Sequence, residues 1–69
     1  MRGAVKSYDP RRGMGELSRD DGGEDVSVFV SEVERAGLAH LSVGQRLSFS
    51  VQTDKMRKKS FAVRLQLLR

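Results

Sequence analysis

Over most of its length this chain alternates apolar and polar residues with a period of two, and only around residues 31–36 does a helical period compete for more than one turn. Alternation of this kind puts successive side chains on opposite faces of an extended strand, so a chain that carries it nearly end to end reads as all-β. A first strand over about residues 3–9 runs into "DPRRG", where Pro10 and Gly13 mark a turn. A second strand covers about 14–19, and "DDGGE" supplies another turn before "DVSVFV". In that third strand Val26, Val28 and Val30 share the face expected to build the core, while Ser27, Phe29 and Ser31 share the other. "SEVERAG" reads as a short helical connector, with Ser31 as N-cap, Glu34 completing a capping box and Gly37 as the stop. "QRLSFSVQ" buries Leu47, Phe49 and Val51 and exposes Arg46, Ser48, Ser50 and Gln52. "FAVRLQL" buries Val63 and Leu65, with Phe61 or Leu67 as a further inward residue, and between these last two strands "DKMRKK" is a cationic loop.

Five short strands without a pair of amphipathic helices favour a five-stranded antiparallel barrel of the OB type, closed so that no sheet edge is left exposed. At 69 residues the chain has room for one domain, expected to span 1–69. A domain of this size buries only about 60% of the surface its unfolded form exposes, so its stability margin is thin. There is no cysteine, and therefore neither a disulfide framework nor a thiolate zinc site. The single histidine, His40, lies in a loop with no Ser, Cys or acidic neighbour placed by any motif, which argues against catalysis and against a structural metal. The acidic run "DDGGED" lacks the ligand spacing of a calcium loop, and "RRGMG" joins strand to strand without opening a helix, so it forms no phosphate cradle. No enzyme activity and no cofactor are expected. The first twelve residues contain no apolar run like a signal-peptide core, and no stretch approaches the roughly 20 apolar residues of a membrane span, so a cytoplasmic location is expected.

The net charge is +4 and its placement matters more than its size. Glu16, Asp20, Asp21, Glu24, Asp25, Glu32 and Glu34 crowd the middle, whereas Lys6, Arg11, Arg12, Lys55, Arg57, Lys58, Lys59 and Arg64 occupy the flanks. A fold that joins the flanks builds a basic side fit for a polyanion.

Several stretches, in order, resemble the bacterial cold-shock domain. "GAVKSYD" is similar to that family's G-T-V-K-W-F-N, "RGMGEL" to K-G-F-G-F-I, and "DDGGEDVSVFVS" to an acidic-glycine turn followed by D-V-F-V-H-x-S; "VERAGLAHLSVGQRLSFSV" is similar to its link into the fourth strand. The resemblance implies an OB-like barrel that binds single-stranded RNA or DNA by stacking bases on outward aromatic rings. Here Ser7 stands at the family's Trp, Met14 and Glu16 at two Phe positions of its first ribonucleoprotein motif, and Ser27 at a Phe of its second. Phe29 takes a His position, Tyr8 a Phe position, and Leu38 replaces a loop aromatic. Loss of stacking at Ser7, Glu16 and Ser27 removes up to about 3–9 kcal/mol of binding, with Phe29 offsetting part of it. The implied activity is non-enzymatic, weak and largely electrostatic binding of single strands, with Phe29 and Tyr8 stacking, Met14 giving apolar contact, and Lys6, Arg12, Lys58 and Arg64 holding phosphates. The alternative is a cold-shock barrel turned to protein recognition or homodimerisation, with "LQLLR" placing one of two consecutive leucines outward.

Overall fold

In the computed structural model, which describes residues 1–68, the elements follow the order β1 (Arg2–Asp9), β2 (Met14–Arg19), β3 (Val26–Phe29), α1 (Val30–Arg35), β4 (Arg46–Asp54) and β5 (Lys59–Leu67). Arg69, the last residue of the span expected for the domain, lies outside the described residues. The strands close into a barrel in the order β1-β2-β3-β5-β4, with β4 returning to β1. Four of these contacts are antiparallel, and β3 against β5 is parallel, with Ser27 opposite Phe61. Strand directions cannot alternate all the way round a ring with an odd number of members. One parallel contact is therefore forced by closure, and it falls at β3 and β5, the strands on either side of the α1 and β4 excursion.

The alternating apolar residues meet inside. Val5, Leu17, Val26, Val28, Leu47, Phe49, Ala62 and Leu65 are buried in one cluster, together with Val33 from α1 and Leu41 from the loop that follows it. Val30, expected inward with the other valines, instead opens α1 and is half-buried, its N–H donating to the Gly13 carbonyl at 2.9 Å. That bond continues the β2–β3 ladder one position past the Met14–Phe29 pair and ties the helix start to the β1–β2 turn. Ser31 is therefore inside the helix; the N-cap is Phe29, which makes no side-chain capping bond. Gly37 ends the helix as expected: with φ 78° it takes the left-handed conformation, and the Gly37 and Leu38 N–H groups donate back to Glu34 and Val33.

Two bulges break the alternation. The β1–β2 register slips between Val5 and Ser7, leaving Lys6 as the extra residue. There the Val5 backbone turns to the loop before β4, donating to Gln45 O at 2.9 Å and accepting from Gly44 N–H at 2.8 Å. The β4–β5 register slips between Ser48 and Ser50, opposite Arg64, which has φ 55°. That extra residue inverts the phase of β5, so Ala62 and Leu65 both point inward. Val63 is buried but stands outside the core cluster, and Phe61 is only half-buried. Leu67 is 46% exposed and Leu68 half-buried, so the outward member of the leucine pair is Leu67.

Candidate nucleic-acid interface

Register determines which side chains share the outer surface. One row across the sheet runs Ser7, Glu16, Ser27, Phe61 and Gln52 from β1 through β2, β3 and β5 to β4. The next runs Asp9, Met14 and Phe29. Cross-strand partners lie on the same face, and their side chains are close enough to pack. Phe29, at the end of β3, is 40% exposed and packs edge-on against Phe61, with ring centroids 6.1 Å apart and planes at 61°. Phe61 was expected inward as one of two options for β5; the Arg64 bulge puts it on the outer face, where it gives the platform a second ring. Met14, directly across from Phe29, completes an open cleft of 280 Å³ whose walls also include Ser27, Asp54, Arg57, Lys59 and Ser60.

The cationic edge of this cleft is formed by the β4–β5 turn. Asp54 shapes it by accepting from the Met56 and Arg57 N–H groups through one carboxylate oxygen, at 3.0 and 3.3 Å. Lys58 closes the turn with φ 53°, a conformation usually left to glycine that here costs about 1–2 kcal/mol. Lys59 is thereby returned to register opposite Asp54. Lys58 and Lys59 also line a neighbouring polar cleft of 440 Å³, shared with Arg19, Glu24, Asp25 and Ser60. Arg57 and Lys59 thus join Lys58 at the rim, and Phe61 joins Phe29.

The other expected residues divide. Arg12 is exposed in the β1–β2 turn that leads into Met14, with its Nε 3.9 Å from an Asp9 carboxylate oxygen. Lys6 is exposed at the β1 bulge but already engaged, its Nζ 2.7 Å from Asp25 Oδ2. The hydrogen bond and charge of Asp25 raise the Lys6 pKa above the ordinary lysine value, with a smaller push from Glu16. Tyr8 is not on the outer face. Beyond the bulge it pairs with Gly15 on the inward phase and packs against the core cluster. Arg64 is also elsewhere, beside Glu32, Arg35 and Gln66 where α1 meets β5.

The acidic middle of the sequence neutralises much of the remaining charge. Arg46 forks onto Asp20 and Arg19 onto Asp21, and both carboxyls are held below the ordinary aspartate range, chiefly by the hydrogen bonds from those guanidinium groups. The exposed large apolar residues other than Phe29 lie in separate segments: Met1, Val43, Met56 at 95% exposure, and Leu67. Single exposed apolar residues of this kind are ordinary on a monomer's surface.

A small closed OB-like β-barrel, with half-exposed rings on one face and cations at their edge, is the class these features define. Residues 1–67 match the model of the 'Cold-shock' DNA-binding domain, and the chain belongs to that family, whose members generally bind nucleic acid. It is 42% identical over 64 residues to a probable cold shock protein, y4cH, of Sinorhizobium fredii, a match that covers 93% of each chain. It is 39% identical over 64 residues to the cold shock protein CspA of Rhizobium meliloti, again covering 93% of each. With a cold shock-like protein of Thermotoga maritima it shares 42% identity over 55 residues, 80% of this chain and 82% of the relative.

Proposed function

We propose that this protein is a non-enzymatic binder of single-stranded RNA or DNA that uses a reduced aromatic platform and a cationic turn. The observation that carries this reading is the edge-on pair of Phe29 and Phe61, open to solvent, in a cleft whose walls include Arg57 and Lys59. Two bases stack on the open faces of these rings, each contributing about 1–3 kcal/mol, and Met14 supports them from the side. Arg57, Lys58 and Lys59 hold phosphates along the β4–β5 turn, Arg12 extends the path past Met14, and Lys6 joins when a phosphate displaces Asp25.

Serine at positions 7 and 27 leaves two outer positions without rings, so electrostatics supplies a large share of the affinity. The three phosphates neutralised at the turn alone set a minimum log–log salt slope of about 2, a loss of about twentyfold or more in affinity between roughly 50 and 200 mM salt. Fluorescence anisotropy with a labelled heptathymidylate tests this. Binding that weakens at that slope or more steeply, and weakens further in Phe29→Ala, is expected; absence of binding at low salt by the folded protein overturns the reading.

A further inference from the structure

Glu16 occupies a position that charge alone does not explain. It is exposed on the outer row, with Ser7 on one side and Ser27 on the other, and it lies diagonally across from Phe29. Diagonal neighbours on adjacent antiparallel strands stand about 7–8 Å apart, which is within reach of a long side chain and a ring. A base stacked on Phe29 with its hydrogen-bonding edge turned toward β2 would meet the Glu16 carboxylate. Lys6, the nearest cation from β1, is held by Asp25, and no ion pair engages Glu16 among the described residues. Arg57, Lys58 and Lys59, the main phosphate-holding group, lie on the far side of the face around the β4–β5 turn, one strand further from Glu16 than Ser27. A backbone held there runs along the edge, and what reaches Glu16 is the base edge.

We infer that Glu16 is a base-selecting residue, which favours a base presenting N–H donors, guanine above all, over thymine or uracil. A carboxylate only accepts hydrogen bonds, and it has two oxygens with which to do so. Guanine offers N1–H and an exocyclic amine side by side, matching both oxygens. Cytosine and adenine each offer one exocyclic amine beside a ring nitrogen that only accepts. Thymine and uracil set a single N3–H between two carbonyl oxygens that repel a carboxylate. Charge-assisted bonds of this kind are roughly twice as strong as neutral ones, and a matched bidentate contact discriminates by at least about fivefold.

This inference rests on the single-strand binding proposed above, and its test separates the two. Anisotropy titrations at fixed low salt compare heptathymidylate with heptamers whose central thymine is replaced by guanine or by cytosine, for the natural protein and for Glu16→Gln. The natural protein is expected to bind the guanine-containing strand about fivefold or more tightly than heptathymidylate, with cytosine between. Glu16→Gln is expected to bring all three within about twofold of one another, because glutamine also donates and so serves thymine. Equal binding of the three strands by the natural protein overturns the inference and leaves the general reading standing. A guanine preference that survives in Glu16→Gln, or a uniform gain for all strands in that variant, also overturns it, the latter because the carboxylate would then be sensing only backbone charge. Failure to bind any strand overturns both.

Discussion

Replacing Phe61 by Ala tests the phase of β5 and the composition of the platform together. The ring is half-buried, its edge-on contact with Phe29 is 6.1 Å between centroids, and its strand neighbours on the outer row are Ser27 and Gln52. For stability, the substitution removes an aromatic pair worth about 0.5–1.5 kcal/mol beyond area, together with a modest buried area, for a total of about 1–2 kcal/mol. In a domain of this size that lowers Tm by about 4–16 °C. A Phe→Ala change in the core costs about 3–5 kcal/mol, comparable to all the stability a single small core usually supplies, and would leave little folded protein. For binding, the loss of one stacking surface costs about 1–3 kcal/mol, or roughly five- to 150-fold in Kd. Thermal unfolding by circular dichroism gives the first quantity, and anisotropy with a short single strand, measured well below Tm, gives the second. Because the rings touch, the Phe29→Ala/Phe61→Ala double variant is expected to lose less than the sum of the single losses. An unchanged Kd in a folded Phe61→Ala protein, or a stability loss of core size, refutes the placement of this ring on a binding face.

Other consequences follow from the same geometry. Arg57→Ala and Lys59→Ala are each expected to reduce the log–log salt slope by about 0.7, whereas Arg64→Ala, on the α1 side, leaves it unchanged; titrations at four salt concentrations check this. Gly3→Ala is expected to unfold the protein or shift β1, because a Cβ there would collide with the Ser18 carbonyl oxygen, and the far-UV spectrum reports it directly. Asp20 and Asp21 have folded-state pKa values below their ordinary 3.8, so each favours the folded form above that pH and loses its contribution as pH falls through the lower folded value. Tm is accordingly expected to hold from neutral pH to about pH 5 and to fall below about pH 4, and Asp20→Asn or Asp21→Asn should flatten part of that fall.

The barrel was legible in the sequence because alternation is a local property and most of this chain obeys it. Leu47 and Phe49 read as buried and are, and Phe29 read as outward and is. The inward and outward assignments that failed did so at bulges, where one extra residue inverts every side chain beyond it. Lys6 at the first bulge turns Tyr8 inward; Arg64 at the second turns Phe61 outward and leaves Val63 buried off the core. Neither bulge contains a glycine to announce it. One signal for Phe61 was nonetheless present. Gln52 and Ser50 alternate as outward residues, and a turn over residues 55–58 pairs them with Phe61 and Val63, so two apolar residues of β5 had to share the outward phase. The helix start was missed for a different reason. Val30 continues the valine alternation of β3 and still bonds to Gly13 in line with the Met14–Phe29 pair, yet its backbone already opens α1, a switch that the alternation does not record. Ion pairs such as that of Lys6 with Asp25 span positions distant in sequence, so which cations are left free for a polyanion emerges only from the fold.

The most direct test of the account is a two-dimensional NMR titration of the protein with an unlabelled single-stranded heptamer at low salt, following the ring protons of Phe29 and Phe61 and the backbone amides of residues 55–60. Upfield movement of both rings, saturating together with shifts in those amides, is the expected result. Shifts confined to α1 and the surroundings of Arg64, or rings that stay still while the strand binds, would contradict it.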